Sequence, residues 1–585
     1  MATTYQQSGR ESPAKYQEVD TSPVGDPTAD QGSTPKMNAD AILQKLGAYG
    51  RYQVLVFVSL AFVYMRGAWP VLASIFLAAD PGHHCRVPSN TSLNVSLPGK
   101  VDDDGTWTPD QCVMYVPGSD RNQTQSCSNG WQYGDQFDST ILMEWDLVCD
   151  DSYLGELSTT IYMVGNTCGA ILLTPLSDKF GRKKMILFML WIQGVFGVAT
   201  AFANSYILFT VLRFFIAALN MPIALTTYVM MTEVFPASHR ALPSVGINCF
   251  WGIGLIFLSV FGYLVRDWSH LQLLISIPNF LTVMYYFFLP ESIPWLVASN
   301  KYTEAEQAAR TAAKINNITL PEFLFNREVT SVETHTEGQS QEALVRARAL
   351  VKKYTILDLF KTPKLRRYTL ILLYLWAANS LSYFGILFAT PNLHGNLFLN
   401  LGISGAVEIP ALFICMWTMQ VYGRRRPHVV FLLLCGVMNI ITIFVPEKTE
   451  SGTDLTPLII FLAMVGKFGI TASYSVAYLY ASEIFPTVVR NHAVGLASFF
   501  ENIGGIAAPF IVYAATSDSM KKLPLVIFGV ITLVAGILCI FLPETHKCPL
   551  PDTIEDVEKL SGKRRFRDNP TRDNTDTDAE DGTRL

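Results

Sequence analysis

The sequence predicts an all-α polytopic membrane protein in which twelve transmembrane helices form two pseudo-symmetric halves of six. The first observation is composition: of 585 residues, 50% are hydrophobic and 16% are charged, whereas soluble proteins carry about 25% charged residues. The second is a series of twelve apolar stretches, and the third is a set of motifs that appears twice. The net charge of -5 shows no pattern along the chain, so we expect no nucleic-acid partner.

Each apolar stretch is long enough to cross the hydrocarbon layer, which takes about 20 residues. Because backbone polar groups cannot stay unpaired in lipid, each stretch should be a helix. The predicted spans are 52–79, 155–176, 185–203, 206–232, 241–264, 271–289, 368–390, 395–421, 428–446, 455–481, 491–516 and 522–542. They imply a tail (1–45), a six-helix bundle (46–289), a linker (290–367), a second bundle (368–545) and a second tail (546–585).

The distribution of Lys and Arg predicts the orientation, because cytoplasmic loops are enriched in both. The linker carries 12 of them between Lys301 and Arg367, whereas the loop at 80–150 carries three. Both tails and the linker are therefore expected in the cytoplasm, loop 80–150 outside, and the protein in the plasma membrane. Residues 1–36 contain no apolar signal segment and are predicted to be disordered.

The loop at 80–150 has two features of an extracellular segment. Three N-x-Ser/Thr sequons predict glycosylation at Asn90, Asn94 and Asn122. Four cysteines predict two disulfides among Cys85, Cys112, Cys127 and Cys149. Four cysteines allow three pairings, and the sequence does not choose between them.

Three motifs recur in order at offsets of 242, 250 and 253 residues. The pairs are DKFGRKK at 178–184 with QVYGRRR at 420–426, TEVFP at 232–236 with SEIFP at 482–486, and LPES at 289–292 with LPET at 542–545. The repeat implies two parallel six-helix halves with a substrate site between them near the midplane.

The recurring charges lie at predicted cytoplasmic helix ends. They are expected to form latches that hold the halves in one state and release in the other; the simpler interpretation is anchoring by positive charge and helix capping. The predicted gating residues are Asp178, Gly181, Arg182, Glu233, Arg240, Arg424, Glu483 and Arg490. Gln420 stands where the first half has Asp178, so the second latch should be weaker.

The loop motif is similar to the G-x-x-x-D-R-x-G-R-R pattern of the major facilitator superfamily, with Thr174 in place of the first Gly. Over about residues 45–555 the chain more closely resembles solute carrier family 22, the organic cation, carnitine and organic anion transporters. The residues that carry this resemblance are GRYQ at 50–53, PGHHC at 81–85, GWQY at 130–133, EWDLVC at 144–149, YLW at 374–376 and IGG at 503–505. One departure is Ile293-Pro294 before Trp295, where relatives usually have Pro-Arg.

Charged residues inside predicted spans are functional candidates, because burying a charge in a membrane is costly. They are Arg66, Glu408, Lys467 and Glu501. The two acids are expected to face a cation. For Arg66 and Lys467 a purely structural role, pairing with the acids, is weighed equally.

Aromatic side chains complete the predicted site, because protonated and quaternary amines bind well to aromatic faces. The candidates are Tyr228, Asn248, Trp251, Trp376, Tyr383, Tyr474, Ser475 and Tyr478. The resemblance places Tyr228, Asn248, Trp376, Tyr383 and Glu408 at the family's central cavity. Packing or lipid contact is the alternative for each aromatic residue.

In the resembled family, the position before IGG is typically Asp in cation carriers and Arg in carnitine or anion carriers. Here it is Asn502, preceded by Glu501, which argues against an anion carrier. The expected function is transport of a small organic cation by facilitated diffusion driven by the membrane potential. The alternatives are a carnitine-like zwitterion carrier, with Arg66 or Lys467 binding the carboxylate, and a non-transporting receptor on the same fold.

The sequence does not predict an enzyme. It contains no phosphate-binding Gly-rich loop, no His/Cys spacing typical of a metal site and no nucleophile elbow. No cofactor or metal is therefore expected. The expected partners are the substrate and the lipid bilayer, and the sequence does not determine an oligomeric state.

Overall fold

The computed structural model describes residues 39–87, 91–101, 107–116, 123–321, 324, 354–389, 396–446, 448–449, 453–514, 520, 522–546, 548, 551 and 553–559. Eleven helices in this part of the chain are long and apolar enough to cross a membrane, and a shorter apolar helix completes a set of twelve. They are α1 (Arg51–Leu77), α2 (Cys149–Phe180), α3 (Arg182–Ala201), α4 (Tyr206–Val234), α5 (Ala241–Leu264), α6 (Trp268–Phe288), α7 (Pro363–Phe388), α8 (Leu397–Tyr422), α9 (Arg425–Phe444), α10 (Thr456–Ile484), α11 (Arg490–Tyr513) and α12 (Leu523–Cys539).

The helix boundaries lie close to the predicted spans, and the larger differences are α2, which begins six residues before its predicted start at 155, and α7. Helix α7 begins at Pro363, inside the predicted linker, five residues before the predicted start at 368. Proline suits the first helical turn, because the N–H it lacks would be unpaired there. The basic residues that follow end the apolar pattern but do not interrupt helical hydrogen bonding. The helix therefore extends beyond the membrane span.

The helices form two halves, α1–α6 and α7–α12. The closest packing between halves is α5 against α8, followed by α2 against α11. Gly252 in α5 and Gly405 in α8 make the first contact close: a Cβ on Gly405 would lie 2.6 Å from the Gly252 carbonyl oxygen. Large apolar side chains remain exposed on other helix faces, among them Phe287 at 78% and Phe444 at 79%, as a lipid-facing surface requires.

The outer ends of the two halves are packed together. Phe398 at the start of α8 stacks on Phe76 of α1, with ring centroids 5.5 Å apart, and accepts a hydrogen bond on its backbone oxygen from Ser259 of α5. Ser152 Oγ at the start of α2 lies 3.0 Å from Tyr513 Oη at the end of α11. These contacts join the two halves on the side predicted to be extracellular.

The outer loop contains three two-stranded antiparallel sheets, which pair β1 (His83–Cys85) with β6 (Trp131–Tyr133), β2 (Gly99–Val101) with β3 (Trp107–Pro109), and β4 (Val113–Tyr115) with β5 (Thr124–Ser126). Disulfides join Cys85 to Cys127 and Cys112 to Cys149, which selects one of the three pairings. Of the predicted glycosylation sites, Asn94 is exposed. Asn90 and Asn122 lie outside the described residues.

On the side predicted to be cytoplasmic, part of the linker is a helix that joins the first half. The helix Tyr302–Asn316 packs against the short helix Ala39–Leu46 and against α1. Asn316 Oδ1 accepts a hydrogen bond from the Tyr52 backbone N–H at 2.8 Å, and Asn316 Nδ2 donates to Gln53 Oε1 at 2.9 Å. The predicted disordered tail 1–36 and the linker segment 325–353 lie outside the described residues.

Candidate functional site

A polar and aromatic network crosses the interface between the halves, about halfway along the helices. Trp251 of α5 donates a 2.9 Å hydrogen bond from Nε1 to Tyr383 Oη of α7, which links the two halves directly. Tyr64 of α1 lies beside it, with its ring centroid 6.2 Å from that of Trp251. The Tyr64 hydroxyl donates to Asn248 Oδ1 at 3.0 Å. Residues of both halves therefore form one site.

A buried ion pair adjoins the Trp251–Tyr383 hydrogen bond. Lys467 Nζ of α10 is 2.9 Å from Glu408 Oε1 of α8, and their side chains are 0% and 3% exposed. The Tyr383 hydroxyl donates to the same carboxylate at 2.6 Å, and Lys467 Nζ lies 3.4 Å from the centroid of the Tyr383 ring. Because the acid and the base neutralise each other, this pair contributes no net charge to the site.

The second acid has a different environment. Glu501 of α11 accepts hydrogen bonds from the hydroxyls of Tyr474 and Tyr478 in α10, with Tyr478 Oη at 2.9 Å from one carboxylate oxygen and 3.1 Å from the other. No basic side chain pairs with Glu501 within the described residues. An ionised Glu501 therefore leaves a negative charge uncompensated at the centre of the molecule.

Aromatic rings surround this acid. Trp376 and Tyr478 lie with ring centroids 4.5 Å apart, and Tyr474 lies 5.7 Å from Tyr478 and 5.5 Å from Tyr383. Tyr478 is 41% exposed although it contacts the buried Trp376 and Glu501. The Tyr478 ring is therefore accessible beside a buried carboxylate, and an electron-rich face next to an acid suits a cationic guest.

The structure brings together most of the side chains predicted for the site. Eight are joined by direct contacts: Trp251, Trp376, Tyr383, Glu408, Lys467, Tyr474, Tyr478 and Glu501. Asn248 joins through Tyr64, a residue that the sequence analysis missed, although it lies two residues before the charged Arg66. The sequence signal that could have identified Tyr64 is its position as an aromatic residue close to a charged residue in a predicted span.

Three predicted residues lie elsewhere. The Ser475 hydroxyl donates to the Thr471 carbonyl oxygen within its own helix. Tyr228 packs against the core of the first half, next to the network. Arg66 is buried within the first half, where it donates to Asn279 Oδ1 at 2.7 Å, so the structural alternative of pairing with an acid applies to Lys467 but not to Arg66.

The predicted gating residues form two equivalent clusters at the helix ends that are predicted to be cytoplasmic. In the first half, Arg182 pairs with Asp178 at 2.7 Å and with Glu233 at 3.2 Å. In the second half, Arg424 pairs with Glu483 at 3.0 Å. Each cluster lies within its own half, so these pairs do not form the expected latch between the halves in this structure. The helix ends of each cluster belong to one bundle, and the charged side chains pair with each other inside that bundle.

A glutamate from the third motif completes each cluster. Glu291 accepts from the backbone N–H groups of Arg182 and Lys183, both at 3.0 Å. Glu544 accepts from those of Arg424 at 2.8 Å and Arg425 at 3.2 Å. These carboxylates cap the N-termini of α3 and α9, where unpaired N–H groups favour an anion.

Gly181 and Gly423 permit this arrangement. Their φ values are 105° and 90°, and a Cβ on either residue would lie 2.5 Å from the Glu291 carboxylate or 2.7 Å from that of Glu544. Arg240 and Arg490 are also equivalent, since each donates from Nε to the backbone oxygen of the Phe five residues earlier.

The second cluster also compensates for Gln420. Arg424 Nη1 donates to His546 Nδ1 at 3.0 Å and to the Met419 carbonyl oxygen at 2.8 Å. The Met419 contact has an equivalent in the first half, where Arg182 Nη1 donates to the Ser177 carbonyl oxygen at 2.9 Å. His546 is the additional group at the second cluster, so the predicted weakness does not follow from Gln420 alone.

Comparison with known proteins extends these observations. The chain matches the sugar (and other) transporter family over residues 112–555. It is 33% identical over 547 residues to organic cation/carnitine transporter 2 of Homo sapiens, covering 89% of this chain and 94% of that protein. It is 33% identical over 549 residues to solute carrier family 22 member 4 of Mus musculus, covering 90% and 95%.

The organic cation transporter protein of Drosophila melanogaster is also 33% identical, over 539 residues that cover 90% of this chain and 96% of that protein. The inward-open structure of the xylose transporter XylE from E. coli has a TM-score of 0.57 at 14% identity, covering 87% of this chain and 99% of that one. At this identity the structural likeness establishes the fold alone.

Two six-helix halves around a central polar site define a membrane transporter with the major facilitator fold. Its family comprises transporters and not enzymes. The extent and identity of the matches show which branch is involved: the chain belongs to solute carrier family 22.

Proposed function

We propose that this protein carries small organic cations across the plasma membrane by alternating access. The observation that supports the proposal most directly is the environment of Glu501, which contacts two tyrosine hydroxyls and no basic group within the described residues. The relatives include an organic cation/carnitine transporter and an organic cation transporter protein, which agrees with the chemistry of the site.

Charge balance favours a cation. The Glu408 carboxylate is neutralised by Lys467, so Glu501 supplies the one uncompensated charge of the network. A buried charge is costly unless it is paired, and a substrate cation would pair with it while its alkyl groups contact Trp376, Tyr474 and Tyr478. Cation–π contacts with desolvated rings contribute about 2 kcal/mol or more.

Membrane potential supplies the driving force in this proposal. Moving one positive charge inward is worth about 2.3 kcal/mol per 100 mV, which corresponds to an accumulation of about fiftyfold. No coupled ion is needed for accumulation on this scale.

Alternating access requires that the two sides open in turn. The outer contacts of Phe398 would separate when the site opens to the outside. The clusters around Arg182 and Arg424 would keep the cytoplasmic ends of each half rigid during that movement. We propose that they act as gating elements by bracing each half, with the tails in the cytoplasm and the exposed Asn94 glycosylated outside.

The test is uptake of labelled tetraethylammonium and carnitine in cells that express the protein. We expect saturable tetraethylammonium uptake that falls when external K⁺ depolarises the membrane. Glu501→Gln should lower kcat/KM at least tenfold, since a hydrogen-bonded charge contributes about 1.5–3 kcal/mol. The control is Glu306→Gln on the cytoplasmic helix, where Glu306 pairs only with the nearby Arg310.

Three results would contradict the proposal. Carnitine uptake that tetraethylammonium does not inhibit would indicate the zwitterion carrier. Full tetraethylammonium uptake by Glu501→Gln, at a surface level equal to wild type, would remove the acid from substrate binding. No uptake from either class despite surface expression would favour a receptor.

A further inference from the structure

Arg66 lies in the first half, on α1, and is 1% exposed. Its Nη1 donates to Asn279 Oδ1 of α6 at 2.7 Å. Its Nε and Nη2 are buried and have no hydrogen-bond partner among the described residues. Two donors of the guanidinium group are therefore available to a bound water molecule or ion.

These donors border a small polar cavity between α1, α3, α4 and α6. Besides Arg66, its polar lining consists of Gln193, Gln272, Ser276 and Asn279. The amide N–H groups of both glutamines already donate to protein oxygens, so the free donors are those of Arg66. The cavity offers room for a single particle of roughly water size.

The charge in this cavity is uncompensated. Arginine stays protonated in proteins, and no carboxylate within the described residues interacts electrostatically with Arg66. A second buried arginine, Arg213 of α4, lies over the Tyr162 ring at 4.6 Å and donates to the Pro70 carbonyl oxygen at 3.3 Å. It adds positive potential to the same bundle and likewise has no carboxylate partner there.

A bound water and a bound anion have different consequences here. Water would satisfy the Arg66 donors and the unpartnered Oε1 atoms of Gln193 and Gln272, but it would leave the positive charge in an apolar bundle. Burial of an unpaired charge costs far more than burial of an unpaired neutral group. An anion accepts from the Arg66 donors and neutralises the charge, and in this cavity only the neutral Oε1 acceptors of Gln193 and Gln272 then stay unpartnered among the described residues.

We propose that the first half binds a small monovalent inorganic anion, such as chloride, at Arg66. The site is separate from the central network, and it acts as a fixed counter-charge that stabilises the first bundle. Because the binding is measured without substrate, the inference does not depend on what the protein transports.

The experiment uses the purified full-length protein in detergent, with chloride and gluconate exchanged at constant ionic strength. We expect the unfolding temperature to rise by several degrees with chloride along a saturable curve, because a ligand that binds only the folded state stabilises it. Equilibrium binding of radioactive chloride should reach one site per chain. Equal stability in both salts without saturable chloride binding would overturn the proposal.

Asn279→Asp is the most informative variant. It places a carboxylate beside Arg66 Nη1 and supplies the missing counter-charge from the protein itself, with almost no change in shape. We expect it to remove chloride binding and to be as stable in gluconate as wild type is in chloride. Chloride binding and stabilisation that persist unchanged in Asn279→Asp would contradict the proposal.

Arg66→Gln should abolish chloride binding, whereas the control Arg310→Gln, on the partly exposed cytoplasmic helix, should retain it. If Arg66→Gln does not fold, Asn279→Asp decides the question alone. Saturable binding that Arg66→Gln retains would place the anion elsewhere and overturn the assignment.

Discussion

At the scale of single residues, the Tyr383 hydroxyl connects the two halves through one atom. It accepts from Trp251 of the other half and donates to Glu408. Tyr383→Phe removes both bonds while keeping the ring over Lys467. We expect kcat/KM for cation uptake to fall about tenfold, since a hydrogen bond to a charged group contributes about 1.5–3 kcal/mol.

Tyr374→Phe is the matched control for Tyr383→Phe. It lies on the same helix, and its hydroxyl donates to the Ile531 carbonyl oxygen inside the second half. Its uptake kinetics should remain within about twofold of wild type, because this bond lies within one half and involves neither Glu408 nor Glu501. An equal loss in both variants would mean that α7 packing, and not the link between halves, determines uptake.

The Glu408–Lys467 pair is expected to show strong coupling in a double-mutant cycle. Glu408→Gln leaves Lys467 buried without its partner and should lower the free energy of unfolding by about 3–5 kcal/mol. Glu408→Gln combined with Lys467→Met removes both charges and should recover most of that loss. Detergent-solubilised thermal unfolding measures all four proteins, and additive single effects would show that the pair does not interact.

Sequence reasoning identified these residues because charges inside apolar spans are conspicuous. It did not assign their partners, since Glu408 and Lys467 lie on different helices and only the fold brings them within 2.9 Å. The separate position of Ser475 has a simple cause. Tyr474 and Tyr478 are four residues apart and share a helix face, whereas Ser475 is turned by about 100° from Tyr474.

At the scale of helices, the crossing of α5 and α8 depends on two glycines. A Cβ on Gly405 would lie 2.6 Å from the Gly252 carbonyl oxygen and 2.7 Å from Leu255 Cβ. Gly405→Ala should therefore separate the helices. Overpacking costs about 1–3 kcal/mol, which would reduce the population of the outward-closed state about 5–150-fold.

Uptake and the reactivity of an introduced outer cysteine measure this effect: uptake should fall and reactivity should rise. Gly495→Ala in α11 is the control, because a Cβ there meets no atom within 4 Å. If both variants behave like wild type, the α5–α8 contact has enough slack to accept a methyl group.

The sequence predicted that the helix ends recur in both halves, but it did not predict the contacts that these ends make. Their order along the chain revealed the two-half repeat, and the equivalent Arg–Glu pairs confirm it. The capping by Glu291 and Glu544 could not be derived, because it brings the end of the sixth helix in each half to the start of the third. That contact depends on how the helices pack in the bundle, which cannot be predicted from a short sequence motif.

At the scale of the whole molecule, hydropathy was sufficient for the twelve spans, because lipid makes helix formation nearly obligatory. The disulfide pairing was not accessible from sequence, since four cysteines allow three arrangements and the choice depends on how β1–β6 place Cys85 next to Cys127. The conformational state of the transporter could not be predicted from the sequence either, because it depends on which ends of the two halves are in contact.

The closed outer side gives a final prediction for the transport cycle. Ser259 of α5 and Gly402 of α8 belong to different halves, and a Cβ on Gly402 would lie 3.8 Å from the Ser259 Cβ, about the mean separation in disulfides. Ser259→Cys combined with Gly402→Cys should therefore cross-link under mild oxidation. If uptake requires the halves to separate at this end, the cross-link should stop it, and brief reduction should restore it. Each single cysteine variant, treated identically, controls for the native disulfides of the outer loop and should keep its uptake. Undiminished uptake by a protein shown to be cross-linked would mean that substrate enters without separation of α5 from α8, and that the two halves do not alternate as rigid bodies.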